Sequence, residues 1–99
     1  NNILDANDPL IVRTEAADQS IQVLLANLEG VTTHVVIRSL ESGDIMFQDR
    51  VKDHNGFSFD FDLEKLDNGR YILAVEKGET LKQQVILIDD NGVYLSQIK

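Results

Sequence analysis

"LDNGRYILAVEKGE", residues 66–79, is the stretch that decides the fold. A Leu-x-x-Gly-x-Tyr cluster, made by Leu66, Gly69 and Tyr71, opens a run in which Tyr71, Leu73 and Val75 alternate with Arg70, Ile72 and Ala74. Period-two alternation sends successive side chains to opposite faces, so the run reads as a strand. Gly69 supplies the dihedral freedom of the turn into it, and Leu66 is expected to plug the core beneath Tyr71.

A tyrosine near the start of a late strand commonly bonds back to the backbone a few residues upstream, locking the corner of an immunoglobulin-like sandwich. Tyr71 is placed for that role, so Leu66, Gly69 and Tyr71 read as structural residues rather than catalytic ones.

Outward from this corner the chain is paced by turns. Gly30, Gly43, Gly56 and Gly69 recur every thirteen residues without any match between their flanks, which is the spacing of hairpins and not of a repeat. "GFSFDFD" puts Phe57, Phe59 and Phe61 on one face and Ser58, Asp60 and Asp62 on the other, a half-buried strand. "THVVIRSL" and "DIMFQDRV" flank Glu41-Ser42-Gly43-Asp44 as one hairpin, and "RYILAVEKG" and "TLKQQVILID" form the next across Lys77-Gly78-Glu79. Asn91-Gly92 is the strongest short-range hairpin signal in the chain.

One segment has two readings. In "EAADQSIQVLLANLEG", Ala17, Ile21, Leu24, Leu25 and Leu28 fit a helical stripe capped by Gly30. Ile21, Val23 and Leu25 also alternate as in a strand, and in an all-β context the strand reading is taken, with the helix over residues 16–28 as its rival.

The expected fold is therefore an all-β, immunoglobulin-like β-sandwich of about seven or eight antiparallel strands over residues 10–99, with residues 1–9 as an arm or linker. Its core is expected to hold Ile21, Val23, Leu25, Val35, Ile37, Phe57, Phe59, Phe61, Leu66, Tyr71, Leu73, Val75, Val85 and Leu87.

Composition narrows the function. The 99 residues suit one domain, and 42% hydrophobic with 26% charged residues is ordinary globular composition. With 17 acidic against 9 basic residues the formal net charge is −8, which disfavours nucleic acid and anionic lipid as partners. The absence of cysteine rules out a disulfide framework and thiolate metal sites. Apolar runs such as Val85–Ile88 fall far short of the about 20 residues of a membrane-spanning helix, so no membrane insertion is expected. Opening on Asn1 rather than Met, the chain reads as a trimmed piece or a mature form without its leader.

Over residues 31–88 the order of parts resembles the C-terminal sorting domains of type IX secretion in Bacteroidetes, and the small secreted immunoglobulin-like domains from the same bacteria. The matching positions are Gly43, Asp62, Leu63, Leu66, Gly69, Tyr71, Gly78 and Lys82. The sorting pattern usually stops after the strand equivalent to "QQVILI", whereas here "DDNGVYLSQIK" follows. The resemblance implies a secreted or periplasmic, cell-envelope location and a non-catalytic accessory domain that binds another protein through strand edges or loops. It also leaves a sorting domain of a longer exported protein as an alternative.

Catalytic and cofactor chemistry finds little support. His34 and His54 have no ligand-spaced partner, the serines lack a Gly-x-Ser-x-Gly setting, and the isolated glycines form no phosphate cradle, so no cofactor is expected. Asp5, Asn7 and Asp8 in "LDANDP" match part of a calcium linker, which would need further carboxylates such as Asp89 and Asp90. That weak match makes a calcium-dependent adhesion module the third reading.

Overall fold

A computed structural model describes residues 10–99. The arm expected over residues 1–9, with Asp5, Asn7 and Asp8, lies outside the described residues. Eight strands form two antiparallel sheets. β1 (Ile11–Ala17), β2 (Ser20–Ala26) and β5 (Phe57–Asp62) make the small sheet in the order β1-β2-β5. β3 (Thr33–Ser39), β4 (Ile45–Val51), β6 (Gly69–Lys77), β7 (Thr80–Asp89) and β8 (Gly92–Leu95) make the large one in the order β4-β3-β6-β7-β8. The sheets pack face to face around one apolar core, giving a β-sandwich. None of the described residues forms a helix long and apolar enough to cross a membrane.

The helical rival over residues 16–28 is not what forms. β1 and β2 turn through Asp18-Gln19, and Ile21, Val23 and Leu25 point inward with no exposed surface, whereas Leu24, a member of the helical stripe, is 46% exposed. Leu28 is also fully buried, but from a loop. Asn27, Glu29 and Gly30 on either side of it take positive φ values of 63°, 58° and 74°. Left-handed backbone costs each of the two non-glycine residues about 1–2 kcal/mol, and burying a leucine offsets this by about 1.5–3 kcal/mol. The loop is stitched to the β4–β5 connection by Leu28 N–H donating to Asn55 O at 2.8 Å and Gly30 N–H to His54 O at 3.1 Å.

Most of the expected core is in place, with five differences. Phe57 is 40% exposed, and Phe59 and Leu66 are half-buried residues packed against the core. Phe57 and Phe59 lie along the outer strand β5, where no neighbouring strand covers them, and their rings contact each other at 5.1 Å. Val85 and Leu87 belong to the outer face of the large sheet, and Ile86 and Ile88 fill the core instead. The cause is the turn. β6 and β7 close through the two residues Gly78-Glu79, so Lys77 pairs with Thr80 and Tyr71 faces Ile86. A three-residue loop at Lys77-Gly78-Glu79 would have put Val85 and Leu87 inside, since a one-residue shift flips every side chain.

On the flank where β1 meets β8, the buried side chain of Gln84 ties the layers together. Its Oε1 accepts from Thr14 Oγ1 at 2.7 Å and its Nε2 donates to Ser96 O at 2.6 Å, which satisfies a polar group inside the sandwich.

Candidate functional site

The corner residues come together at the end of the sandwich where β5 hands over to β6. Tyr71 is buried, and its hydroxyl donates to Asp67 O, four residues upstream, at 2.6 Å. Burial pushes the Tyr71 pKa up, and the nearby carboxylates of Asp67 and Glu41 push it the same way. Leu66 N–H donates to Leu63 O at 3.0 Å, closing the turn that carries the chain over the core.

Gly69 has φ of 151°, and a Cβ there would lie 3.0 Å from Glu41 Oε1. The space a side chain would need is taken up by that carboxylate, which accepts from Arg70 N at 3.0 Å and from Arg70 Nε at 3.3 Å. The Arg70 N–H, and after it the guanidinium, hold the Glu41 carboxyl below its ordinary range. Tyr71 and Glu41 both bond to backbone of the corner, and Glu41 to the Arg70 side chain as well, so the corner is occupied with holding itself together.

Beside the corner lies an open cleft of about 580 Å³ with Asp18, Glu64, Asp89 and Asp90 on its rim and Leu63, Leu66, Ile88 and Val93 at its base. Asp89 Oδ1 accepts from the N–H groups of Asn91 and Gly92 at 2.8 and 3.2 Å, which shapes the β7–β8 turn. Asp90 Oδ1 accepts from Asn68 Nδ2 at 2.7 Å. Among the described residues no three His, Asp or Glu side chains are grouped to hold a metal ion. His34 lies on β3 opposite Arg50 and Glu76, and the ring of His54 contacts Phe57 at 5.4 Å in the β4–β5 connection.

The surface that sequence reasoning missed is the outer face of the large sheet. Ile72 and Val85 sit side by side across β6 and β7, and beyond them Leu87 and Tyr94 pair across β7 and β8, 39% and 48% exposed. On the other side Arg38 pairs with Ile45, which is 47% exposed. Apolar residues thus occupy both faces of β6 and β7, the pattern of strands covered on both sides.

Three of the four arginines of this acidic chain gather on the same face. Arg38, Arg50 and Arg70 all stand there, with Glu76 on β6 and Asp89 at the end of β7 as acidic residues of the face. The outer face of the small sheet is the reverse: Glu15, Asp60 and Asp62 lie on it, with Arg13 and an exposed Leu24.

Comparison with protein families, characterised proteins and solved structures finds no match to this chain. Its surfaces therefore carry the functional argument. Exposed aliphatic and aromatic groups interspersed with arginine, on a rigid sheet, have the chemistry of protein contact surfaces, where hydrophobic anchors and arginine supply most of the affinity.

Proposed function

We propose that this is a non-catalytic secreted or periplasmic accessory domain of immunoglobulin-like type, which acts by being folded and by presenting its strand edges, loops and one sheet face to another protein. The strand order, with β1-β2-β5 facing β4-β3-β6-β7, supports the immunoglobulin-like reading, as does the Tyr71 corner. The observation that carries the functional reading is the apolar outer face of β6 and β7. A sheet face turned to water ordinarily carries polar side chains, and contiguous apolar patches on soluble proteins mark interaction sites.

The test is a photo-crosslinking residue placed at Leu87, with one at Glu79 in the β6–β7 turn as control, in the protein expressed in its own host. A discrete protein adduct at Leu87 and none at Glu79 is expected. Adduct at neither position, with the protein folded, removes the basis of the reading.

A sorting domain at the end of a longer exported protein is the second reading. It draws on the succession of the β3–β4 hairpin, β5, the corner and the β6–β7 hairpin. Intact mass of the native protein in envelope and medium separates the two. A precursor trimmed of these residues on export selects the sorting role, and a mature protein that retains them selects the accessory role.

A further inference from the structure

The outer face of the large sheet has a hollow. Beyond β8 the chain continues along β7, with Ser96 N–H donating to Val85 O at 3.0 Å, but the next backbone pair joins Gln83 to Lys99, both bonds 2.8 Å. Pairing has slipped by one residue at Gln97-Ile98, and the strand bows there. A depression of about 390 Å³ results, with Ile72 and Val85 among its lining residues and Gln83, Ser96, Gln97 and Lys99 around them. It is large enough for an aliphatic side chain, and Arg38 and Arg70 stand on the strands alongside.

The outer face of the small sheet carries the complement. Leu24 projects from the central strand β2 and is 46% exposed. Its cross-strand neighbours are Arg13 and Ser58, Glu15 and Asp60 stand in the next row, and Asp62 one row further, all exposed. A knob with Arg13 and Ser58 beside it and carboxylates along one side is thus found on one face of the molecule, and a hollow flanked by cations on the other.

We propose that the hollow receives Leu24 of a second copy of this chain, with Glu15, Asp60 and Asp62 of that copy facing Arg38, Arg70 and Lys99. This names the partner of the face in the proposed protein-binding role and rests on that reading. The two surfaces differ, so the contact is heterologous and copies stack head to tail into an open chain rather than closing as a dimer. Each junction lays a small sheet on a large one, about 10 Å apart as sheets stack within a sandwich. A three-stranded face of seven-residue strands spans about 14 Å by 23 Å, well below the about 800 Å² per partner of a standard interface. The association is accordingly weak and grows with concentration.

Sedimentation of the full chain from about 10 μM to about 1 mM tests it, at about 0.15 M salt, where the Debye length of about 8 Å screens the repulsion between whole molecules. Mass is expected to climb past dimer without a plateau. Leu24→Asp and Val85→Asp are each expected to weaken association at least about tenfold. Mixed in equal amounts, the two variants should give a capped dimer, because one intact knob still meets one intact hollow. Arg38→Glu replaces Val85→Asp in the mixture if the latter does not fold.

A chain that stays monomeric throughout overturns the proposal, as does a dimer abolished by Val85→Asp yet untouched by Leu24→Asp. If the chain is monomeric but the Leu87 crosslinker still captures a different protein, the second-copy proposal falls and the accessory role stands. If neither association nor adduct is seen, both fall.

Discussion

The outward faces of the two sheets are made of opposite materials. On the small sheet Arg13, Glu15, Gln22, Asp60 and Asp62 meet water, with Leu24 and Ile11 as exposed apolar residues among them. On the large sheet Ile72, Val85, Leu87 and Tyr94 adjoin one another, and the charges between them are mainly arginine. Both sheets bury their inner faces in the same core, so the difference does not come from the demands of folding. A polar outer face is sufficient for a sandwich, and in the proposed protein-binding role the apolar one is the contact surface. The free edge next to that face is interrupted as well: β4 shifts register between Ile37 and Arg38, with Met46 as the extra residue, and a bulge of this kind disfavours unselective edge pairing.

The largest expected effect separates the inner face of β7 from its outer one. Ile86→Asp places an unpaired carboxylate in the core and is expected to destabilise by about 4 kcal/mol or more, whereas Leu87→Asp is expected to stay within about 0.5 kcal/mol. Urea denaturation of the two variants measures this directly. Equal losses would show that the face assigned to water is in fact buried.

The next effect concerns what ties the two layers together. Gln84→Ala leaves Thr14 Oγ1 and Ser96 O without the partners they now have at 2.7 and 2.6 Å. Unsatisfied polar groups in a partly buried flank cost about 1–3 kcal/mol. A double-mutant cycle with Thr14→Val isolates the link between sheets, with a coupling of about 1 kcal/mol expected. Zero coupling would mean that apolar packing alone holds this flank.

The contrast between the faces also explains what could be read from the residues. In β5 one parity is all phenylalanine and the other is Ser58, Asp60 and Asp62, so the inward side is legible at once, and only the lack of a neighbouring strand over Phe57 escapes. In β7 "VILI" is apolar at both parities, and alternation has nothing to say. Only the length of the turn decides, through the pairing of Lys77 with Thr80. The all-β class, the turns at Gly43 and Gly78, the hairpin before Gly92, whose turn is Asp90-Asn91 rather than Asn91-Gly92, and the strand from Ile21 to Leu25 were legible because each has local chemistry behind it. The hollow over Ile72 and Val85 was not, because it depends on a one-residue slip after β8 that no local signal announces. The gathering of arginine on one face was equally hidden, since Arg38, Arg50 and Arg70 are brought together by the order β4-β3-β6.

A smaller effect tests the corner. Tyr71→Phe keeps the ring in the core and removes the 2.6 Å bond to Asp67 O, a loss expected at about 1 kcal/mol. Its pH dependence has a definite sign. The folded protein holds the Tyr71 proton more tightly than the unfolded chain, whose ordinary value is 10.0, so this stability is fully present below pH 10 and lost as pH rises through the raised folded value. The alkaline fall in melting temperature should therefore be shallower in the phenylalanine variant. In an ultraviolet titration the Tyr71 hydroxyl should ionise above its ordinary value of 10.0. Ionisation at the ordinary value would contradict a buried, bonded hydroxyl.

The smallest effect joins the corner to the basic face through Glu41, whose ion pair with Arg70 is exposed on both sides, 54% and 64%. The folded carboxyl titrates below its ordinary value of 4.5, so its contribution is present above that pH and lost as the pH falls through the lowered folded value. Glu41→Gln should thus lower the melting temperature slightly at neutral pH, and the gap to the unsubstituted protein should close in acid. The same change leaves the Arg70 guanidinium unneutralised on the large-sheet face. If that face takes up carboxylates from a second copy, the substitution that weakens the fold should strengthen association, most clearly at low salt, where exposed charges are least screened. Opposite signs for stability and association are difficult to obtain from general destabilisation, which would expose apolar surface and drive aggregation only as the fold fails.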